Sequence, residues 1–358
     1  MRSLCVINDT HIGAIRSGGT TPVTALALRQ ATLDSFRSLL ARADGSDILI
    51  NGDLFDTFMV PLTDLWEAVN ISVEWARRNA GCTLFAARGN HDIAKNSTLM
   101  SSFDLYVKFM STMLGSQFVP ILVPLELSEH DAYVVPHMAN QDLFNEALKA
   151  VPKCKHLFVH ANYDNKFAIE ADHSLNVSPE QARELPVDHI IFGHEHQRRD
   201  ELKGKVVIVG NQIPTSVADC LGNDAKYLLR VKADKLVHEA VWDADVDFLR
   251  VDWRALSSVA VEGDPQRFIR VQGEASKEEA TQVVAAIAKL RKASDAFVIT
   301  NAVAIDGVKA DDEVKLSLEA AKGFDVLSAL YELLDEGFER DTVKNIVEKN
   351  NVQTATAD

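Results

Sequence analysis

Asp9 and His11 stand two residues apart behind a short apolar run at 3–7, in the segment NDTHIG. Residues two apart on extended backbone face the same side. A carboxylate and an imidazole placed this way can reach one metal ion. The arrangement recurs along the chain. Ile48, Leu49 and Ile50 run into the turn signal Asn51-Gly52, with Asp53 just past it and Asp56 three residues on. The run at 82–87 leads to Arg88-Gly89-Asn90-His91-Asp92, the run at 157–159 to His160, and the run at 190–192 to Gly193-His194-Glu195-His196. Carboxylate, amide oxygen and imidazole together form a hard-to-borderline donor set, which suits manganese, iron or zinc better than calcium.

Two ions need a shared ligand, and a carboxylate can bridge. Asp53 is the natural bridge, with Asp9, His11 and His196 on one side and Asn90, His160 and His194 on the other. His194 and His196 lie two apart on an extended turn, so they can be split between neighbouring ions. A pair of ions about 3.5–4 Å apart can activate a water and clamp the oxygens of a phosphoryl centre. His91 need not bind metal; it can protonate or stabilise the leaving oxygen, with Asp56 orienting its ring. Taken singly, a histidine is more often a core or surface residue than a ligand. His130, His137, His156, His173, His189 and His238 are read that way.

These residues need a scaffold of buried strands. The runs above, with those at 132–136 and 206–209, read as strands, and helical periodicity marks 24–42, 62–79 and 99–114. Strands alternating with helices indicate an α/β fold, and open α/β sheets bind ligands at strand carboxyl ends. The segments 227–231 and 236–242 read as a closing hairpin. Beyond about residue 245 the pattern changes to a strand at 267–272, a helix at 277–292 and a strand at 297–304, a small β-α-β appendage. An acidic linker at 307–313 and helices at 324–338 and 342–347 follow. The helices at 62–79 and 99–114 carry Trp66, Phe109 and Met113 among many apolar residues. They read either as core packing or as a homodimer face.

Composition narrows the function. The chain has 358 residues and a formal net charge of −15, which argues against broad wrapping of nucleic acid. Bound cations and a few local Lys or Arg can still make one cleft attractive to phosphates. The Gly-rich loop at 13–22 lacks the Lys-Ser/Thr ending of a nucleotide cradle. Cys5, Cys82, Cys154 and Cys220 are isolated and fit reduced residues of a cytoplasmic protein. No apolar run is long enough for a membrane span, and the start does not read as a signal peptide.

DTH, GDLFD, GNHD, a lone His after a strand, and GHEH, in this order, resemble the calcineurin-like metallophosphoesterase superfamily. Within it, GDLFD, the segment GNQIPTS at 210–216 and the chain plan are similar to the SbcD-type DNA double-strand-break repair nuclease subunits and their phage counterparts. The resemblance implies an α/β fold (α+β by some schemes): a two-sheet core at 1–245, a small β-α-β capping domain of DNA-binding type at 246–306, and a linker and helical tail at 307–358. It implies two divalent ions, manganese first, with magnesium, iron or zinc as alternatives. It also implies a DNA exonuclease or endonuclease in recombination, repair or replication, in the cytoplasm of a bacterial or phage-infected cell. An SMC-type ATPase would dock on the tail, and the helices at 62–79 and 99–114 would form a homodimer. Arg16, Arg88, Lys166, Arg198, Arg199 and Lys205 are the cations available to line a cleft, with Arg16, Arg88 and Arg198 foremost for DNA; the alternative is that they are simply solvated. Two rival readings remain: a phosphodiesterase or phosphatase for small molecules or proteins, and a non-catalytic assembly subunit of an ATPase complex.

Overall fold

The computed structural model describes residues 2–14, 22–94, 99–165, 174–215, 219, 225–232, 235–242, 247–259, 268–293 and 298–306. Arg16, Lys166, His173, Cys220, the linker at 307–313 and the tail helices lie outside these residues. The chain divides into two compact units, Met1–Asp247 and Phe248–Asp358.

The first unit is built on two six-stranded sheets. Its leading elements are β1 (Leu4–Ile7), α1 (Pro22–Arg42), β2 (Asp47–Asn51), α2 (Leu62–Arg78), β3 (Leu84–Ala87), α3 (Ser102–Leu114) and β4 (Phe118–Ile121). Then come β5 (Leu125–Leu127), β6 (Ala132–Val135), α4 (Gln141–Lys149), β7 (Cys154–His160), β8 (Asn162–Tyr163) and β9 (Asn176–Val177). The unit closes with α5 (Pro179–Glu184), β10 (Val187–Gly193), β11 (Arg199–Glu201), β12 (Val206–Ile208), β13 (Lys226–Lys232) and β14 (Lys235–Trp242). One sheet has the order β14-β13-β1-β2-β3-β4 and the other β11-β12-β10-β7-β6-β5.

Alternation along the strands explains the layers. In β1, Leu4 and Val6 join Leu49, Val134, Phe158, Ile191 and Leu229 in the core between the sheets. Cys5 and Ile7 face the other way, into the core under α1, α2 and α3. In the second sheet, Leu157, Val159, Ile190 and Phe192 pack with Phe144, Leu148 and Ala182 of α4 and α5. Strands buried on both faces need continuous apolar runs, which is why they stand out in the sequence. Each fully buried Leu, Ile or Phe stabilises the unit by roughly 1.5–3 kcal/mol.

Boundaries depart from the sequence expectation where caps decide them. The third helix starts at Ser102 rather than at 99, because Ser101 and Asp104 form a reciprocal capping box. Helix α4 escaped the sequence reading; Asn140 caps it through Leu143 N–H, and it is only two to three turns long. Helices α2 and α3 bury Leu65, Val69, Trp75, Phe103, Tyr106 and Met110, while Leu62, Trp66, Phe109 and Met113 stay exposed.

The second unit contains β15 (Phe248–Asp252), β16 (Phe268–Ala275), α6 (Ala280–Ala293) and β17 (Val298–Ile305). The strands form one parallel sheet, ordered β15-β16-β17. Strand β15 is an addition to the β-α-β expectation. Its sequence FLRVD is short and sits at the change of pattern, so periodicity alone does not separate it from a connection. Ile269, Val271, Ile299 and Val303 form a core with Val283, Ile287 and Leu290 of α6. Among the described residues, no helix is long and apolar enough to cross a membrane.

Candidate metal centre

The candidate ligands converge at the carboxyl ends of β1, β2, β3, β7 and β10. Parallel pairing sets this up: β1 and β2 run in register from Leu4–Asp47 to Ile7–Ile50, and β10 pairs with β7 so that Gly193 lies beside His160. The loops after β1 and β2 are zipped together. His11 N–H donates to Asp53 O (3.1 Å), Ile12 N–H to Leu54 O (2.9 Å) and Asp56 N–H to Ile12 O (3.0 Å).

Asp9, His11, Asp53 and His194 all adopt positive φ, at 49°, 50°, 49° and 87°. Side chains other than glycine rarely sit there, and such strain gathers at functional sites. Neighbouring main-chain donors hold the strained turns. His194 N–H donates to Asp9 Oδ1 (2.8 Å) and His91 N–H to Asp53 Oδ1 (2.9 Å). Gly89 has to be glycine: a Cβ there would lie 2.1 Å from Asp53 Oδ1 and 2.2 Å from Asp53 N.

Asp9, His11 and His196 form one cluster, Asp53, His160 and His194 another, and His11, Asp53 and His91 a third that overlaps both. Asn90 belongs to the second, its Oδ1 2.9 Å from both His160 Nε2 and His194 Nδ1. Asp53 Oδ2 lies between the clusters, 3.2 Å from His160 Nε2 and 3.9 Å from His11 Nε2. The sequence-based ligand set is thus gathered in one place.

The donor geometry fits cations. His160 Nδ1 contacts the Asn51 carbonyl (2.9 Å), which can only accept, so Nδ1 carries the proton. Its Nε2 is then the atom turned toward Asn90 Oδ1 and Asp53 Oδ2, both of which are metal-ligand oxygens, so a bound cation would take the place of a proton there. His196 Nδ1 is held by Asp219 Oδ1 (2.8 Å), and its Nε2 faces His11 Nε2 at 3.0 Å. Among the described residues, Asp9 Oδ2 and His11 Nδ1 are buried with no hydrogen-bond partner, the Asp56 carboxylate standing off at 3.5 Å from His11 Nδ1. Lone pairs turned toward each other in a buried site are what a divalent cation between them would satisfy.

Electrostatics show the same crowding. Burial lifts the Asp9 carboxyl to about 6 against the pull of His160 and His196. Burial also opposes the charge of Asp53, but His160, His11 and His91 outweigh it and hold that carboxyl well below the ordinary range. For His160, burial works against protonation, yet Asp53 and Asp9 raise it to about 9. His11 is held far below the usual imidazole value by burial and by His196.

His91 and Asp56 are joined differently from the expected carboxylate–imidazole pair. The hydrogen bond between them runs from His91 Nδ1 to the main-chain carbonyl of Asp56 (2.5 Å). The Asp56 carboxylate Oδ1 lies 3.5 Å from His11 Nδ1. Sequence cannot say which way a side chain in a tight turn points, and the turn here presents the carbonyl to His91.

Some residues of the site were missed. Asp92 is buried and accepts from Gly89 N–H (2.9 Å) and Phe55 N–H (3.2 Å), tying the GNHD loop to the GDLFD loop. Burial and the charge of Asp53 push it up to about 7. Its place inside a recognised motif was the available signal. His137, read as structural, has its ring centroid 6.4 Å from that of His160 and is kept neutral, at about 3, by burial first and by His160. Asn211 lies just past the run at 206–209, which was the available signal, while Asp219 and Lys226 follow in a stretch without clear periodicity. Of the candidate DNA-contacting cations, Arg88 Nε is buried with no hydrogen-bond partner among the described residues. Arg198 pairs with Asp200 (3.0 Å) and lies over Tyr227, and Arg199 pairs with Glu195 (2.5 Å).

Residues 3–198 match the calcineurin-like phosphoesterase family, and since this is more than half of the chain, the protein belongs to that family. It is therefore a metal-dependent phosphoester hydrolase of a di-metal family. Comparison with curated proteins gave no match. Among solved structures, the chain is similar to an archaeal phosphodiesterase at 11% identity, with a TM-score of 0.33, over 67% of this chain and 99% of that one. It is also similar to a cold-active protein-tyrosine phosphatase of a psychrophilic Shewanella species at 12% identity and a TM-score of 0.33, over 67% and 78% of the two chains.

Proposed function

We propose that the protein is a DNA nuclease that hydrolyses phosphodiester bonds with two divalent ions, manganese first among them. The observation that carries the hydrolytic part is the pair of buried donor clusters meeting at Asp53 Oδ2. Asp9, His11, Asp53 and His196 would hold one ion, and Asp53, Asn90, His160 and His194 the other. When bound, the ions supply Lewis-acid polarisation of the phosphoryl oxygens and an acidified water. The chain's own part in the chemistry falls to His91. With Nδ1 fixed on the Asp56 carbonyl, its Nε2 is the atom free to exchange a proton. As the bond from the attacking water oxygen to phosphorus forms and that water's proton passes to solvent, the bond to the leaving sugar oxygen breaks and His91 Nε2–H would donate its proton to that oxygen, the ring regaining one from solvent. Arg88, near the ends of β3 and the Asn90 cluster, offers a cation to the scissile phosphate.

DNA as substrate is supported by the GNQIPTS segment after the last motif and by the second unit, Phe248–Asp358, which lies beyond the family match. A hydrolase of small diesters has no need of that unit. The −15 net charge and the acidic partners of Arg198 and Arg199 favour a substrate held locally by the centre over one wrapped along the surface. An SMC-type ATPase docked on the tail at 307–358 would supply further DNA contacts, and a second copy would pack on the exposed Leu62, Trp66, Phe109 and Met113.

The test is digestion of end-labelled linear duplex and circular single-stranded DNA with manganese, with Asp53→Asn as control. Cleavage that disappears in the control is expected, and product lengths report its direction. Hydrolysis of a small aryl diester with neither DNA cut, even after a candidate ATPase is added, would favour a small-molecule or protein phosphoesterase. Loss of ATPase binding on deletion of residues 324–358, with diester hydrolysis intact, would assign docking to the tail.

A further inference from the structure

His196 is held at two points by one closed ring of hydrogen bonds. Its Nδ1 donates to Asp219 Oδ1 (2.8 Å). Asn211 Nδ2 donates to Asp219 Oδ2 (3.1 Å), and Lys226 Nζ donates to Asn211 Oδ1 (2.8 Å). Lys226 Nζ also donates to the main-chain oxygen of His196 (3.1 Å), which closes the ring. Thr215 adds its N–H (2.9 Å) and hydroxyl (3.2 Å) to Asp219 Oδ2. Asp219 is 6% exposed, Lys226 3% and Asn211 0%.

A buried lysine and a buried aspartate are both costly to desolvate, and lysine is almost never fully buried unless paired. Here Asn211 links the two charges, and the contacts close on a single imidazole, at its ring and at its backbone. A shift in the β13–β14 register between Lys226 and Tyr227 marks the strand position from which the lysine enters. The ring of contacts also orients the imidazole: Nδ1 keeps its proton and donates it to the carboxylate, so Nε2 faces His11 Nε2. His160 in the other cluster has only a main-chain carbonyl at its Nδ1.

We infer that Asp219, supported by Asn211 and Lys226, is the positioning residue that sets the affinity of the Asp9–His11–His196 cluster for its ion. This rests on the reading of those three residues as ligands. Asparagine cannot replace Asp219, because the carboxylate accepts on both oxygens; an amide would turn a donor either toward His196 Nδ1–H or toward Thr215 N–H.

The test is a manganese titration of the full chain, with free Mn2+ read by electron paramagnetic resonance. Wild type should bind two ions. Asp219→Asn should weaken one of them by about 10–100-fold and leave the other unchanged, as loss of a carboxylate behind a ligating imidazole does elsewhere. Lys226→Met should weaken the same ion by a smaller factor, and it decides the matter if Asp219→Asn does not fold in chelator. Two ions bound with wild-type affinity in the folded variants, or both ions weakened equally, would overturn the inference alone. Failure of wild type to bind two ions would overturn the metal-centre reading and the inference with it.

Discussion

Met1–Asp247 and Phe248–Asp358 treat buried polar groups in opposite ways. The first unit buries Asp9, His11, Asp53, Asp92, His160, Asn211 and Asp219 within a few strand ends. In the second, Thr300 is the buried polar side chain among the described residues, and the core is otherwise Ile, Val, Leu, Ala, Phe and Trp. Among the described residues, every cluster able to hold a metal ion lies in the first unit. Burying unpaired polar groups costs free energy, so a core that only holds a fold together avoids them. Their concentration at strand ends, on strained backbone, therefore marks chemistry, and the described core of the second unit shows how the same chain packs where no such cluster is built.

That contrast can be broken at three points. The largest effect is expected at His91. His91→Ala should lower kcat on an aryl phosphodiester by about 10²–10⁴-fold, the range for loss of a general acid. Manganese affinity should stay as in wild type; because a His91 nitrogen lies within reach of the His11 and Asp53 ligand atoms, a weakened affinity would make it a ligand instead. Steady-state kinetics beside a metal titration reads both, and an unchanged kcat would remove His91 from the chemistry.

Next comes the packing core. Ile299 is fully buried in the second unit, and Ile299→Ala should cost that unit about 2–5 kcal/mol in denaturant unfolding. Hydrolysis of a small diester should be unaffected, and a fall in that rate would show that the chemistry is not confined to the first unit.

The smallest effect concerns a polar pair of the first unit that lies outside the ligand clusters. Asp47 accepts from Thr83 N–H (2.7 Å) and contacts His130 Nε2 (2.9 Å). Burial opposes its charge, but these bonds outweigh burial and hold the carboxyl below its ordinary value of 3.8. A carboxyl depressed in the folded state stabilises the fold above that value, and the benefit is lost as pH falls through its folded value. Asp47→Asn should thus cost about 1.5–3 kcal/mol at neutral pH, as for hydrogen bonds to charged groups. The gap to wild type should close as the pH drops below 3.8. A gap independent of pH would mean that the charge contributes nothing.

The legible and the hidden parts of the molecule follow the same division. Asp9, His11, Asp53, Asn90, His160, His194 and His196 could be read because each ends an apolar run that the sheets bury on both faces. Run and ligand then mark one strand end. The buried strands and the β13–β14 hairpin were legible for the same reason, whereas the two-sheet arrangement came from the resemblance to a family. Asp219 and Lys226 were not: their roles depend on contacts with His196 across 23 and 30 residues of chain, and nothing in local spacing encodes that return. The contact of His91 with a carbonyl, in place of a carboxylate, depends on backbone direction in a tight turn. Strand β15 and helix α4 were lost to shortness, although Asn140 ahead of α4 was a usable cap signal.

The most direct test is made at Asp53, where the two clusters meet. Protein stripped by chelator should hydrolyse an aryl phosphodiester only after manganese is returned, and Asp53→Asn should fail to recover on the same addition and should hold fewer ions. Full hydrolysis by stripped wild type, or full manganese-restored hydrolysis by Asp53→Asn, would contradict a centre organised around that carboxylate.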